Sequence, residues 1–138
     1  MQLVLDTNQY LFAFGFLKKP SCESLLDILK DKSCGHIIRI PRLIVNEVRS
    51  HLGPEAFREF ISFIYGLTTP DEDFVVPFDI GTKYESMGLK PADSFIAAYA
   101  EWTGADALVT ENRHFLSRRQ DLSFKVVTAE ACLKTLLK

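Results

Sequence analysis

Short apolar runs alternate with amphipathic stretches along this chain, and the alternation constrains the fold more than any other sequence feature. The stretches between the apolar runs carry apolar residues at helical spacing. Strands that alternate with helices form a parallel sheet covered on both faces. We therefore predict a single domain over residues 1–138, a three-layer α/β/α sandwich around a central, mostly parallel sheet. The predicted strands are residues 3–5, 36–40, 107–110 and 124–128.

Proline and glycine residues mark several predicted helix boundaries. Pro54 and Pro91 suit the first turn of a helix, and Gly104 suits the position just after a helix ends. Ser21 is predicted to be the N-cap of an earlier helix. The predicted helices cover residues 8–16, 21–30, 41–48, 54–65, 80–87, 91–103 and a final segment to 137, with 71–73 as a solvated loop and 74–76 as a short extended segment.

The composition is that of an ordinary globular protein and identifies no partner by itself. There are 16 Lys and Arg residues against 18 Asp and Glu residues, so net charge alone does not indicate nucleic-acid binding. The three cysteines are an odd number without close pairs, which predicts buried, reduced thiols in a cytoplasmic protein. The apolar runs are far shorter than the ~20 residues of a membrane helix, so we expect no membrane association.

Three acidic residues stand in otherwise apolar surroundings. Asp6 directly follows the first predicted strand, and Glu47 and Asp93 lie near the starts of predicted helices. In an open parallel sheet, ligands bind in the crevice beyond the carboxyl ends of the strands. Carboxylates brought together there repel one another and raise one another's pKa, so such a cluster usually needs a cation. The sequence therefore predicts a divalent-metal site.

Each of these acids also fits a purely structural role. Asp93 is favourable in the first turn of a helix, Glu47 suits a solvated helix position, and Asp6 suits the start of a turn. Thr7 and Asn8 have side chains that either hydrogen-bond to Asp6 or cap the next helix. The combination of three acids, rather than any one of them, favours a functional site.

Two other α/β classes place an Asp after the first strand, and the sequence disfavours both. A dehalogenase-like phosphotransferase that uses Asp6 as nucleophile needs a second acid at position 8, which is Asn8 here. A receiver domain needs an acidic pair there and an Asp after a middle strand, but the strand ending near Ile40 continues into Pro41. The chain also lacks a Gly-rich phosphate loop and a Gly-x-Ser-x-Gly nucleophile elbow.

Four segments in order along the chain resemble a PIN domain. They are VLDTN at 4–8, VNEV at 45–48, PADSFIAAYA at 91–100 and GADALVTENRHF at 104–115. The small single-domain size resembles the VapC-type toxins of toxin–antitoxin pairs. The resemblance implies a Mg²⁺- or Mn²⁺-dependent endoribonuclease in which Asp6, Glu47 and Asp93 bind the metal and act in catalysis. It also implies a cognate antitoxin and a homodimer.

The chain departs from the family pattern at its fourth acidic position. The family has an acid two positions after its last Thr or Ser, whereas here Thr110 is followed by Glu111 and Asn112. We expect Asn112 to occupy this catalytic position as a weaker, uncharged ligand, and the Glu111 side chain to point elsewhere. The residues expected to support the acids are Thr7, Asn8, Ser94 and Thr110.

An RNA substrate requires cationic contacts to its phosphates. We predict a substrate rim after Asn112, and a solvated helix face explains the same pattern equally well. The rim residues are Arg113, His114, Arg118, Arg119 and Lys125, with Arg49 and His51 as weaker candidates. Asp106 begins a strand, so we expect it at the opposite edge of the sheet in a structural role.

An alternative to the enzyme is a PIN-like module that binds RNA or a protein with weak or no nuclease activity. Asn112 in place of the fourth acid favours this alternative. The presence of Asp6, Glu47 and Asp93 favours the ribonuclease. The sequence alone does not identify the RNA target, because that choice depends on surface shape.

Overall fold

A computed structural model describes residues 1–118 and 122–137, in which four strands form one parallel sheet. The sheet order is β2-β1-β3-β4, and Val4 pairs with both Arg39 and Leu108. The central strands β1 and β3 are almost wholly apolar because helices cover both faces of the sheet. All four predicted strands are confirmed, with small shifts at their ends. Their bounds are β1 (Gln2–Leu5), β2 (Ile37–Arg39), β3 (Ala107–Val109) and β4 (Lys125–Val127).

Helices fill the connections between the strands and complete a three-layer α/β/α architecture, as predicted. On one side α1 and α8 both pack against α2, and on the other α5 packs against α6, which contacts β3. The bounds are α1 (Thr7–Phe14), α2 (Pro20–Leu29), α3 (Arg42–His51), α4 (Pro54–Leu67), α5 (Phe78–Ser86), α6 (Pro91–Thr103), α7 (Arg113–Ser117) and α8 (Ala129–Leu136).

The core fixes the carboxyl end of β1 and the start of α1. Leu3, Val4 and Leu5 are fully buried, and burial of such a side chain contributes about 1.5–3 kcal/mol. Tyr10 of α1 meets Phe60 of α4 edge to face, with ring centroids 5.0 Å apart. The junction between β1 and α1, where the first predicted site residue lies, is therefore held by packing on both sides.

The start and end of α6 follow the sequence signals. Pro91 lies at its first position and places Asp93 in the first turn. Gly104 ends the helix with φ of 69°, a left-handed conformation that glycine adopts without steric strain. The chain then turns directly into β3, which lies beside β1.

The predicted N-cap of α2 is wrong by two residues. The helix begins at Pro20, and Lys19 rather than Ser21 is the N-cap residue. Proline already has the φ angle of a first helical residue and has no N–H that needs a cap. The proline therefore sets this boundary, and Ser21 lies within the first turn.

The prediction for residues 71–76 is also wrong. Residues Asp73–Val75 form a 3₁₀ turn, so 74–76 is not an extended segment. Nor is 71–73 a solvated loop, since the Asp71 carboxylate accepts hydrogen bonds from Arg39 and Tyr99. Asp73 accepts one from the backbone N–H of Leu43. Partners so distant in sequence leave no local signal.

The cysteines are unpaired, as predicted, and Cys22 and Cys132 are buried. The predicted burial is wrong for Cys34, which is partly exposed in the short turn before β2. Within residues 1–118 and 122–137, no helix has the length and apolar character needed to span a bilayer.

Candidate active site at the carboxyl edge of the sheet

Asp6 is a buried carboxylate at the junction of β1 and α1. Its Oδ1 accepts a hydrogen bond from the Thr7 backbone N–H at 2.8 Å, and its Oδ2 accepts one from Thr110 Oγ1 at 2.7 Å. Only 5% of the residue is exposed. Burial, together with the negative charges of Asp93 and Glu47, raises the pKa of Asp6 to about 6 despite these two bonds. Such a shift is typical of functional carboxylates.

Glu47 reaches the same edge from α3, which begins just after β2. Its Oε1 accepts a hydrogen bond from Thr7 Oγ1 at 2.7 Å. Thr7 thus contacts two of the predicted acids, Asp6 through its backbone and Glu47 through its hydroxyl. The supporting role predicted for Thr7 has a direct structural basis.

Asp93 approaches Asp6 from the first turn of α6. Burial raises the pKa of this partly exposed carboxylate, and the nearby positive charges of His114 and Lys90 oppose the rise. Lys90 was not among the residues predicted from sequence. It is the N-cap residue of α6, just before Pro91, and a cation so close to a predicted acid is the signal that identifies it.

The three acids suit a hard, oxygen-preferring cation by their chemistry. Mg²⁺ binds proteins through one or two carboxylates and keeps several waters. Within the part of the chain that the structure describes, no three His, Cys, Asp or Glu side chains lie close enough together to form a ready-made metal cluster. Asp6 is nevertheless buried within the electrostatic range of Asp93 and Glu47, a situation that a bound cation would relieve. The residues therefore fit Mg²⁺ or Mn²⁺, and its binding stays a prediction.

The corner after β3 supports Asp6 through Thr110. The buried Thr110 hydroxyl donates to Asp6 and accepts the Asn112 backbone N–H at 2.9 Å. The Asn112 side-chain oxygen in turn accepts the His114 backbone N–H at 2.9 Å and caps α7. Asn112 therefore has a structural role at the position where the family has its fourth acid.

The other two predicted supporting residues contact backbone atoms rather than the acids. Asn8 Oδ1 accepts the Glu111 backbone N–H at 3.3 Å. The buried Ser94 hydroxyl donates to the Leu89 carbonyl at 3.1 Å and so stabilises the start of α6. As expected, the Glu111 side chain points elsewhere: its carboxylate accepts hydrogen bonds from Gln9 and Lys19.

Within the predicted cationic rim, His114 lies close enough to Asp93 for its charge to oppose the rise in the Asp93 pKa. Arg113 and His114 are exposed at the start of α7. Arg118 lies beside the turn between α5 and α6, where a Cβ on Gly88 would come within 3.1 Å of its Nη2. Arg119 was also predicted to contact RNA, and it lies outside the described residues.

Three further basic residues predicted to contact RNA do not point towards Asp6. Lys125 is wrongly included in the rim, because it begins β4 in register with Ala107 and so lies at the amino edge of the sheet. Of the weaker candidates, His51 donates from Nδ1 to the Glu47 carbonyl at 2.8 Å, and Arg49 lies over the Phe57 ring at 5.4 Å. Neither contact directs these side chains towards Asp6.

Asp106 lies at the amino edge, as predicted. Its Oδ2 accepts a hydrogen bond from the Gln2 backbone N–H at 2.6 Å. It therefore joins the amino ends of β1 and β3, on the opposite side of the sheet from Asp6.

Comparison with solved structures establishes the fold. A chain in the crystal structure of VapBC2 from Rickettsia felis, bound to a DNA fragment from their promoter, is similar with a TM-score of 0.62 and 19% identity, over 92% of this chain and 97% of that chain. A chain of FitAcB from Neisseria gonorrhoeae is similar with a TM-score of 0.59 and 17% identity, over 93% and 98% of the two chains. No protein-family model and no curated protein matches the sequence. The likenesses confirm the predicted PIN-like, three-layer α/β/α fold.

Proposed function

We propose that this chain is a divalent-metal-dependent endoribonuclease and the toxin of a toxin–antitoxin pair. The observation that carries the proposal is the buried Asp6, whose pKa is raised to about 6 by burial and by the charges of Asp93 and Glu47. All three acids lie at the carboxyl edge of the sheet, where open α/β folds bind ligands. The fold similarity to VapBC2 and FitAcB supports this assignment.

In the proposed site, Asp6, Glu47 and Asp93 hold Mg²⁺ or Mn²⁺. A bound metal of this kind lowers the pKa of a coordinated water and stabilises negative charge on a phosphodiester. The chain's own residues fix and balance the acids: Thr110 and Thr7 orient Asp6, and Thr7 also orients Glu47. These hydrogen bonds fix the positions of the Asp6 and Glu47 carboxylates, and Asp93 would be drawn in by the metal to complete the set.

Cations around Asp93 supply the RNA contacts in this proposal. Lys90 and His114 lie close enough to oppose the rise in the pKa of Asp93, and Arg113 is exposed next to His114. Phosphate contacts supply most of the sequence-independent affinity for RNA. A protein with net charge of −2 needs this local concentration of positive charge to bind RNA at all.

The test is cleavage of a labelled structured RNA by the purified protein with Mg²⁺ or Mn²⁺. Asp93→Asn is the test variant, and Asp79→Asn is its matched control because Asp79 is an exposed acid in the first turn of α5. We expect chelator and Asp93→Asn to abolish cleavage, and Asp79→Asn to cleave like the wild type. Cleavage that persists in chelator, or in Asp93→Asn, contradicts the proposal.

The toxin role adds a cytoplasmic location, a cognate antitoxin and a homodimer to the proposal. Induced expression of the wild-type chain is expected to stop bacterial growth, and Asp93→Asn is expected not to. A gene for a small DNA-binding protein just upstream would supply the antitoxin, and its co-expression should restore growth. Normal growth at high levels of folded wild-type protein contradicts the toxin role.

The second candidate is an RNA- or protein-binding module with weak or no nuclease activity. The observation that favours it is Asn112, whose side-chain oxygen caps α7 at the position of the family's fourth acid. Binding of RNA without any cleavage in Mg²⁺ or Mn²⁺ would favour the module. Restoration of cleavage by Asn112→Asp would then identify the missing acid as the cause.

A further inference from the structure

Glu111 is a well-buried carboxylate to which the proposed reaction gives no role. Its side chain is 11% exposed, and its Oε1 lies 2.6 Å from Lys19 Nζ. Its Oε2 accepts hydrogen bonds from Gln9 Nε2 at 2.8 Å and from the Ala129 backbone N–H at 3.0 Å. Burial raises the pKa of Glu111, but the bonds from Lys19, Ala129 and Gln9 outweigh burial and hold that pKa below its ordinary value. The group is therefore an anion at neutral pH.

The partners of Glu111 come from three different elements and all act as donors. Gln9 belongs to α1, Lys19 is the N-cap residue of α2, and Ala129 begins α8. Gln9 is fully buried, and its Oε1 accepts the Cys22 thiol at 3.3 Å, so its amide nitrogen is the atom that faces Glu111. An ionised carboxylate, which accepts at both oxygens and donates at neither, satisfies an ammonium and two N–H donors together.

Glu111 lies in sequence between Thr110 and Asn112, the two residues of the hydrogen-bonded chain that ends on Asp6. Thr110 precedes Glu111 and donates to Asp6, and Asn112 follows it and donates to Thr110 Oγ1. The Glu111 backbone N–H is itself held by Asn8. The corner from 110 to 112 is therefore fixed from one side by Glu111 and is in contact with Asp6 on the other.

We infer that Glu111 is a positioning residue for the nuclease site, an inference that rests on the proposed ribonuclease function. Its carboxylate anchors the corner to α1, α2 and α8, and so holds the Thr110 hydroxyl against Asp6. Thr110 is the partner one step removed from Asp6, and loss of such a partner typically changes activity or metal affinity 10–100-fold. Glu111 acts through Thr110, so its loss is expected to have an effect at the lower end of this range. A residue that served only fold stability would change the unfolding midpoint but not the turnover of the folded enzyme.

The decisive variant is Glu111→Gln, which has the same shape but places an amide NH₂ among donors. Its matched control is Glu130→Gln, the same change at an exposed position of α8. We expect kcat of Glu111→Gln to fall roughly tenfold with KM within about twofold of wild type, because orientation and not RNA binding is disturbed. Glu111→Asp, which keeps the charge, is expected to recover part of the loss, and Glu130→Gln to match wild type.

Amide hydrogen exchange gives a readout that does not depend on activity. The Asn112 amide, which donates to Thr110 Oγ1, is expected to lose roughly tenfold of its protection in Glu111→Gln, while the β1 amides keep theirs. If Glu111→Gln does not fold, Lys19→Met removes one partner of the same carboxylate and is expected to shift both readouts in the same direction by a smaller factor.

The outcomes separate this inference from the proposed function. An active wild type with unchanged kcat and unchanged Asn112 exchange in Glu111→Gln overturns the positioning role alone. A wild type that cleaves no RNA overturns the ribonuclease, and with it the catalytic meaning of Glu111. Equal loss of protection at Asn112 and in β1 shows a general loss of stability and also overturns the positioning role.

Discussion

Acidic residues stand beside strands at both edges of the sheet, but their surroundings differ. At the amino edge, Asp106 is exposed and accepts the Gln2 backbone N–H, while its own N–H donates to the Gln2 carbonyl. At the carboxyl edge, Asp6 is buried, and Asp93 and Glu47 add negative charge near it. Asp106 thus completes a pair of hydrogen bonds with the Gln2 backbone, whereas burial disfavours the negative charge of Asp6.

The difference follows from the direction of the chain. In a parallel sheet the helices α1 and α3 begin at the carboxyl edge, so side chains in their early turns gather there. The amino edge holds the starts of β1 and β3, where Asp106 meets Gln2. Side chains from several elements therefore come close together at the carboxyl edge. A buried carboxylate there, such as Asp6, is in a position where a ligand can bind.

The largest expected difference between the two edges is in activity. Asp6→Asn is expected to lower RNA cleavage by more than about 100-fold, because loss of a partner one step removed from a metal already costs 10–100-fold. Asp106→Asn is expected to stay within about twofold of wild type, since its carboxylate contacts only backbone at the far edge. Initial cleavage rates in Mn²⁺ measure both. Equal losses would remove the functional distinction between the edges.

A smaller loss is expected when Asp6 keeps its charge but loses its orientation. Thr110→Val has nearly the same shape and removes the hydroxyl that donates to Asp6 Oδ2, so cleavage should fall 10–100-fold. The matched control is Thr103→Val near the amino edge, where the hydroxyl donates to the Ala100 carbonyl. Activity of Thr110→Val equal to that of Thr103→Val would show that this bond does not support the reaction.

The free energy of unfolding should depend on pH through Asp6. Its pKa is raised to about 6 by burial, so the folded chain binds a proton more tightly than the unfolded chain. This contribution is full below the unfolded pKa and is lost as pH rises towards the folded one. In chelator, Asp6→Asn should therefore exceed wild type in free energy of unfolding by about 1–3 kcal/mol at pH 7, but by little at pH 4. Urea unfolding at both pH values tests this, and a gap independent of pH would contradict it.

The smallest expected effects are on RNA binding, when basic residues at the two edges of the sheet are replaced. His114→Ala is expected to raise KM for RNA by about 2–5-fold and to reduce the salt dependence of binding, because His114 lies near Asp93. Lys125→Ala, at the amino edge, is expected to leave both unchanged. RNA binding measured over a range of KCl concentrations makes the comparison. An effect of Lys125→Ala alone would place the RNA at the other edge.

Strong local signals made much of the fold predictable from sequence. The buried run before Asp6, the Pro91 start of α6 and the Gly104 stop all depend on neighbouring residues, and the structure has them as predicted. The carboxyl-edge location of Asp6 follows from strand direction alone. Lys125 follows Asn112 closely in sequence but lies at the opposite edge of the sheet, because it begins the next parallel strand.

The supporting contacts of the site were not predictable in the same way. Nothing near Glu111 in sequence indicates that Lys19 and Gln9 would meet its carboxylate, since these contacts span about ninety to a hundred residues. The cap made by Asn112 has a local signal, because Asn is a favoured N-cap residue. The resemblance to PIN domains instead implies a catalytic position for this residue. Long-range pairing, rather than residue type, decides which polar groups support the site.

Calorimetric titration of Mn²⁺ into the purified protein at neutral pH measures directly whether Asp6 is part of a metal site, with Asp6→Asn and Asp106→Asn alongside. We expect wild type and Asp106→Asn to bind Mn²⁺ alike and Asp6→Asn to bind at least about tenfold more weakly. Binding of Mn²⁺ by Asp6→Asn with wild-type affinity would show that the buried carboxylate at the carboxyl edge is not part of the metal site.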